Sequence, residues 1–288
     1  MKKNIDIRFT LTYREKSVRI ILNSQEHMLG EVSMVYKVTP TQNAAVLFQN
    51  WPESMIWSCM QGSMGELYAD DPQHPKSAMV WLGDFCLFAG EPSQELARFQ
   101  LAHPKRPFMI MIPQTEEWGK MIEYCYGERA KKVTRYATKK ERGVFDRAAL
   151  QRMVDRLSPE YDMRMIDREL FALCSQVPFS EDFVAQFADY EMYQKNGLGV
   201  LIFHEGEPVA GASSYSAFEG GIEIEIDTKA GYRRRGLATA CGAKLILECP
   251  ERGWYPSWDA QNPWSLALAE KLGYHFDREY TAYEIYPY

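Results

Sequence analysis

Ile222-Glu-Ile-Glu-Ile-Asp-Thr-Lys-Ala-Gly-Tyr-Arg-Arg-Arg-Gly-Leu-Ala-Thr239 is the stretch whose reading decides the fold. Its first six residues alternate strictly, so Ile222, Ile224 and Ile226 share one face of a strand while Glu223, Glu225 and Asp227 share the other. Residues 228–232 read as a loop, and the basic turn at 233–239 runs into an Ala- and Leu-rich helix over 240–248. A strand that ends in such a turn and opens a helix is an anion site by construction. The first N–H groups of a helix lack intrahelical partners, and its dipole places roughly +0.5 charge there. Gly236 removes a side chain where backbone must approach an anion, and Ala238 keeps the next alternate position small.

The flanking sequence extends this unit in both directions. Residues 198–203, 208–218 and 222–228 read as three successive antiparallel strands, turning at Glu205-Gly206 and Gly220-Gly221. Upstream, 161–167 alternates as a strand, and 168–174 and 180–195 read as helices, the second with Ser180 as N-cap and Gly197 just past its end. Downstream, 255–260 reads as a strand. Asn262 then caps a helix with Pro263 at its first position and Gly273 at its end, and two strands follow around 275–279 and 281–286.

Arg233-x-x-Gly236-x-Ala238 after a strand resembles the [Gln/Arg]-x-x-Gly-x-[Gly/Ala] signature of the GNAT N-acetyltransferase superfamily, and the Asn262-to-Gly273-Tyr274 helix is similar to that family's Asn-initiated helix. The resemblance spans about 161–286. Gly220-Gly-Ile-Glu-Ile-Glu-Ile-Asp227 with Pro256-Ser-Trp-Asp259 resembles the bacterial branch that includes zwittermicin-resistance acetyltransferases, in which a poorly recognisable lobe precedes the catalytic one. The fold class implied is α/β (α+β): a C-terminal acyl-CoA N-acyltransferase fold with a mixed, mostly antiparallel sheet, preceded by an α/β lobe that is itself a degenerate GNAT-like candidate.

The resemblance implies acetyl-CoA as cosubstrate, with its diphosphate on the backbone of Arg234, Arg235, Gly236, Leu237, Ala238 and Thr239 and added charge from Arg233. The pantetheine arm would lie along Ile226, Asp227 and Thr228, with Asn262 near it, and an N–H near Ile226 would polarise the thioester carbonyl. A base must deprotonate an ammonium substrate before attack. The resemblance offers Glu223 and Glu225 as base candidates, since family members often place a carboxylate on this strand; three acids on one partly dry face would also raise one another's proton affinity, and Glu225 is slightly preferred. A solvated strand face is the plain alternative. The Tyr that many family members carry as proton donor to the departing thiolate is Ala269 here. Either Tyr283 serves instead or the thiolate leaves unassisted, which a group of pKa near 8.5 tolerates. Trp258 and Asp259 lie at a strand end that borders the acceptor pocket in relatives. His204 and His275 read as structural.

The first half reads as alternating strands and helices. Residues 41–61 read as a helix followed by a strand containing Met55, Ile56 and Trp57. A strand pair over 77–88 turns at Gly83-Asp84, a helix follows over 91–102, a strand over 107–113 and a helix over 115–127. The Lys- and Arg-dense 131–142 reads as an inter-domain segment, and 146–157 as an amphipathic helix. The expected division is an N-terminal lobe at 1–140 that walls the acceptor pocket, and a catalytic domain at 141–288. At 288 residues the chain exceeds one typical domain.

A net charge of −6 disfavours nucleic acid and anionic membrane, both of which need a basic face. Six cysteines without a CxxC pair or nearby His suggest thiols in a reducing cytosol rather than a metal site. No signal peptide or membrane-length apolar run is present, so a soluble cytoplasmic protein is expected. The expected partner is a small-molecule primary amine, and a homodimer is left open. Competing readings are transfer to a peptide or amino-acid amine, and a CoA-binding sensor without catalysis.

Overall fold

The computed structural model describes residues 35–40, 42–99 and 109–286. The chain opens with β1 (Tyr36–Val38), α1 (Gln42–Leu47), α2 (Ser54–Met60), β2 (Glu66–Ala69) and the hairpin β3 (Ser77–Leu82) and β4 (Phe85–Gly90). Next come α3 (Gln94–Ala97), β5 (Met109–Pro113), α4 (Glu116–Tyr126) and β6 (Ala130–Thr138). The second half runs α5 (Arg147–Asp155), β7 (Tyr161–Met165), α6 (Arg168–Cys174), α7 (Tyr190–Asn196), β8 (Gly199–His204), β9 (Glu207–Phe218) and β10 (Gly221–Thr228). It closes with α8 (Leu237–Glu248), β11 (Tyr255–Ser257), β12 (Asp259–Ala260), α9 (Pro263–Leu272) and β13 (Phe276–Ile285).

These strands form two sheets, one of eight in the order β1-β2-β3-β4-β5-β13-β6-β12 and one of five in the order β11-β10-β9-β8-β7. All pairings are antiparallel except β4 with β5 and β10 with β11. The last strand of the chain inserts between β5 and β6, so both halves build the larger sheet. The chain passes from the smaller sheet to the larger within one residue, Trp258, which lies between β11 and β12. Thr138 Oγ1 donates to the Trp258 carbonyl at 2.6 Å and holds the crossing in place.

One hydrophobic core joins the two halves, with Met55 and Leu87 from the first packed in the same cluster as Ile222, Ile224 and Trp258. A smaller cluster on the far face of the larger sheet gathers Phe88, Trp118, Ile122 and Tyr283. α4 starts where Thr115 accepts from the Trp118 N–H and two acids occupy its first turn, as a helix N-terminus favours. Five of the six cysteines are buried. Among the described residues no helix is long and apolar enough to cross a membrane.

Several elements differ from the sequence reading. Met55, Ile56 and Trp57 lie in α2, a helix rather than a strand, because Met55, Ile56 and Cys59 bury together at helical spacing. The basic segment 131–142 is not a linker: most of it is β6, held between β13 and β12. Its buried cation, Arg135, is neutralised by Asp259 inside the fold. Residues 180–195 are not one helix. A single 3-10 turn over 181–183 precedes α7, whose cap is Asp189; Ser180 makes no side-chain cap, and Gly197 is extended. The strand 255–260 divides between the two sheets, and the last two strands are one, β13, with a bulge between Phe276 and Arg278. The helix at 91–102 is described only as Gln94–Ala97, residues 100–102 and the first two residues of the strand at 107–113 lying outside the described residues.

Candidate active site

β10 pairs with β11 only from Gly221 to Glu223. Beyond that point β11 gives way to β12 in the other sheet, and from Ile224 onward β10 keeps a strand partner, β9, on one side alone among the described residues. A cavity of about 310 Å³ opens in the divergence, within the size range of small-molecule sites. Both halves wall it: Met55, Asp84, Phe85 and Ile110 from the first, and Glu223, Glu225 and Trp258 among those from the second.

The two glutamates of β10 reach this cavity in different states. Glu223 is buried and its Oε2 accepts from Ser54 Oγ at the start of α2, while its Oε1 has no hydrogen-bond partner. Glu225 keeps some exposure as a residue, yet its Oε1 is sealed from solvent and also unpartnered. Burial, with the charges of Asp182, Asp84 and Asp227 in second place, pushes the Glu225 carboxyl well above the usual carboxylate range.

A third acid adjoins them behind the wall. Glu53 is 4% exposed and accepts from Arg278 Nη2 at 2.7 Å. Burial first, and the Asp259 charge next, push its carboxyl from 4.5 up to about 7. An acid raised in the folded state holds its proton more tightly folded than unfolded. Its contribution to stability is therefore full below its ordinary value and is lost as pH rises through about 7. Urea unfolding should show stability falling between about pH 5 and pH 7, with a shallower slope in Glu53→Gln. Glu225 and Asp182, raised in the same direction, add to the fall in stability as pH rises.

Beyond the cavity-lining part of β10 the chain leads, through residues 229–236, into the start of α8. Gly236 is the N-cap, in the left-handed conformation at φ +84, and a Cβ there would meet open space. Ala240 N–H is the first to close onto the helix, at 3.0 Å from the Gly236 carbonyl. The backbone N–H groups of Arg234, Arg235, Gly236, Leu237, Ala238 and Thr239 have no acceptor among the described residues. Leu237 anchors the turn in the core at 1% exposure. Arg233 Nε donates to the Thr228 carbonyl at 3.1 Å, and Arg235 is held by Tyr161 Oη at 3.2 Å and the Gly231 carbonyl at 3.1 Å. Arg234, exposed and itself at φ +62, stands between them.

The remaining sequence-based candidates divide. Ile226 and Asp227 line the cavity; Thr228 ends the strand with its Oγ1 buried and unpartnered. Asn262 caps α9, its Oδ1 accepting from Ser265 N–H at 2.9 Å, and its neighbours Gln261 and Ser265 line the cavity. Thr239 Oγ1 accepts from Lys271 Nζ at 3.2 Å, tying α8 to α9. Tyr283 is not brought to the site. It is 2% exposed on the far face of the larger sheet and donates to Glu123 at 2.7 Å. The reason is strand parity: Tyr280, three residues earlier, points the other way and donates to Asp259 at 2.7 Å. Asp259 in turn is consumed by Arg135, whose Nε and Nη2 lie 2.8 and 2.6 Å from its Oδ1. Trp258 lines the cavity and donates from Nε1 to Ser265 Oγ at 3.2 Å. His204 and His275 lie elsewhere, against Tyr232 and Glu141.

The sequence reading missed Asp84, Asp182, Gln186 and Tyr215, all at the cavity wall. Asp84 sits in a hairpin turn and Asp182 in the 3-10 turn read as helix interior; neither carries a local signal of its role.

The sequence pattern of the GNAT acetyltransferase family matches residues 45–283 and thus runs through both halves and across the cavity between them. The chain belongs to that family. It is similar to a GCN5-related N-acetyltransferase-like protein from Streptococcus suis 89/1591, at 46% identity and a TM-score of 0.79 over 84% of this chain and 96% of that one. It is also 23% identical over 231 residues to the uncharacterized N-acetyltransferase YdfB of Bacillus subtilis (strain 168), covering 76% of this chain and 85% of that protein. A Drosophila protein shares the fold at 13% identity and a TM-score of 0.52, over 77% of this chain and 80% of its own.

Proposed function

We propose that the chain transfers an acetyl group from acetyl-CoA to a primary amine of a small molecule. The observation that carries this reading is the combination of unpartnered amides at the start of α8 with a buried, unpartnered carboxylate oxygen of Glu225 on β10, the strand that leads into that helix. The residues present fit the donor. Gly236 opens onto space, six successive N–H groups lack acceptors, and three arginines surround them, a set suited to a diphosphate. The β10 edge beyond Glu223 suits an extended arm that pairs as a strand would. Bound acetyl-CoA would supply a thioester carbonyl, whose C–S bond breaks as the C–N bond forms.

Glu225, whose side chain keeps some exposure, takes the proton of the incoming ammonium and frees the nitrogen lone pair for attack. Burial gives that carboxylate the higher proton affinity such a transfer needs. The backbone N–H near Ile226 is the donor toward the carbonyl oxygen. With Tyr283 turned away and Ala269 fully buried, no tyrosine stands in the family's proton-donor place. Tyr215 and Ser265 are the hydroxyls at the cavity wall, and a thiolate of ordinary pKa near 8.5 can also leave without help. The first half acts as one wall of the acceptor cavity. The test is thiol release from acetyl-CoA across a panel of primary amines. Release that depends on the amine supports transfer, and CoA binding without release from any amine would instead favour the sensor reading.

A further inference from the structure

Arg135 lines the cavity from β6 of the larger sheet, while Glu225 lines it from β10 of the smaller one. Arg135 is 6% exposed, so its guanidinium is withdrawn from bulk water. A guanidinium carries five N–H donors, and each one buried without an acceptor is costly. The Nε–H is shared between Asp259 Oδ1 at 2.8 Å and Tyr280 Oη at 3.2 Å. One Nη2–H goes to the same Asp259 oxygen at 2.6 Å. Both Nη1 hydrogens and the second on Nη2 have no acceptor among the described residues. The fold thus holds a planar donor fork at the cavity wall with only one of its edges occupied.

The fork is fixed in orientation. Tyr280 donates to the other Asp259 oxygen, Oδ2, at 2.7 Å, and the guanidinium carbon lies 5.1 Å from the centre of the Phe85 ring, which also lines the cavity. A guanidinium stacked on a ring keeps its rim for hydrogen bonds. The charge of Arg135 is already balanced by Asp259. A carboxylate on the open donors would add a second buried negative charge beside Asp259, in a cavity that Glu223 and Glu225 also line. A neutral carbonyl oxygen takes the same hydrogens without that cost.

We propose that the acceptor is an amino amide, with its amine reacting at Glu225 and its neutral carbonyl oxygen accepting from the open N–H groups of Arg135. This rests on the reading of Glu225 as the base. The acceptor then bridges the two sheets, and Arg135 decides which amines are held there. An alkylamine leaves the buried donors unmet, and an amino acid brings an uncompensated charge. Arg135 acts on acceptor binding rather than on proton transfer.

The test compares glycinamide and β-alaninamide with the alkylamines of the same branching, isobutylamine and isopentylamine, and with the free acids glycine and β-alanine. In thiol release from acetyl-CoA by the full-length protein, one of the amides should show a KM at least about tenfold below its alkyl and acid counterparts. Arg135→Lys keeps a charge against Asp259 and gives up the open edge, so it should remove most of that preference. The differing basicity of the amines is the same for both proteins and cancels in this comparison. Titration with CoA shows that the variant is folded, and ligand-observed NMR of the CoA-loaded wild type reads binding of the same amines without turnover. No preference for either amide in either measurement, or a preference that Arg135→Lys leaves intact, would overturn the proposal. Amide-selective binding without thiol release supports the Arg135 contact and removes the transferase. Equal release from amides and alkylamines keeps the transferase and removes the amide contact.

Discussion

Glu225→Gln should lower kcat by about 100- to 10,000-fold, the range that a positioned general base contributes. The substitution keeps the shape of the side chain and removes its ability to take a proton. In the wild type the rate should rise with pH as the Glu225 carboxylate forms. Because burial and three neighbouring acids raise its proton affinity, that limb should lie above the ordinary carboxylate range. Glu225→Gln should lose the limb together with the rate. Glu223→Gln provides the contrast, since that side chain is anchored by Ser54 from the other half of the chain. Steady-state kinetics across pH on both variants decides between them. If Glu223→Gln alone abolishes turnover, Glu225 is not the base.

Gly236→Val should weaken CoA binding by about 100-fold, ~2.7 kcal/mol. Two effects combine in this variant. A β-branched residue at φ +84 carries backbone strain, of order 1–2 kcal/mol. Its side chain would also fill the open space beside the unpartnered amides. Gly253→Val separates the two, because Gly253 sits at φ +69 with equally open surroundings but beyond the other end of α8. Both variants should lose similar stability in urea unfolding, and only Gly236→Val should lose CoA affinity. Similar losses of CoA affinity in both would mean that strain, not occlusion, explains the effect.

What the sequence made legible was local. The alternation of 222–227, the glycine at the start of α8, the Asn262 cap and the Glu205-Gly206 hairpin each depend on residues within one turn or one strand pair, and all are in place. What it hid was set by distant partners. Nothing in residues 276–285 says that they lie between β5 and β6, and their placement decides which face Tyr283 occupies. Residues 255–260 read as one strand because a change of sheet at Trp258 leaves no break in the apolar pattern. The charges of 131–142 suggested a linker, since the partner that buries Arg135 comes from residue 259. The same holds for the cavity, whose base candidates lie on the readable strand while Asp84 and Asp182 arrive from turns brought there by the packing of the two halves.

The claim on which the rest depends is that the amides opening α8 hold the diphosphate of the acyl donor. Isothermal titration of the full-length protein with CoA tests it without requiring knowledge of the acceptor. A saturable exothermic isotherm with one CoA per chain, much weakened in Gly236→Val, is the predicted result. The absence of heat, or an isotherm unchanged by that substitution, would contradict it.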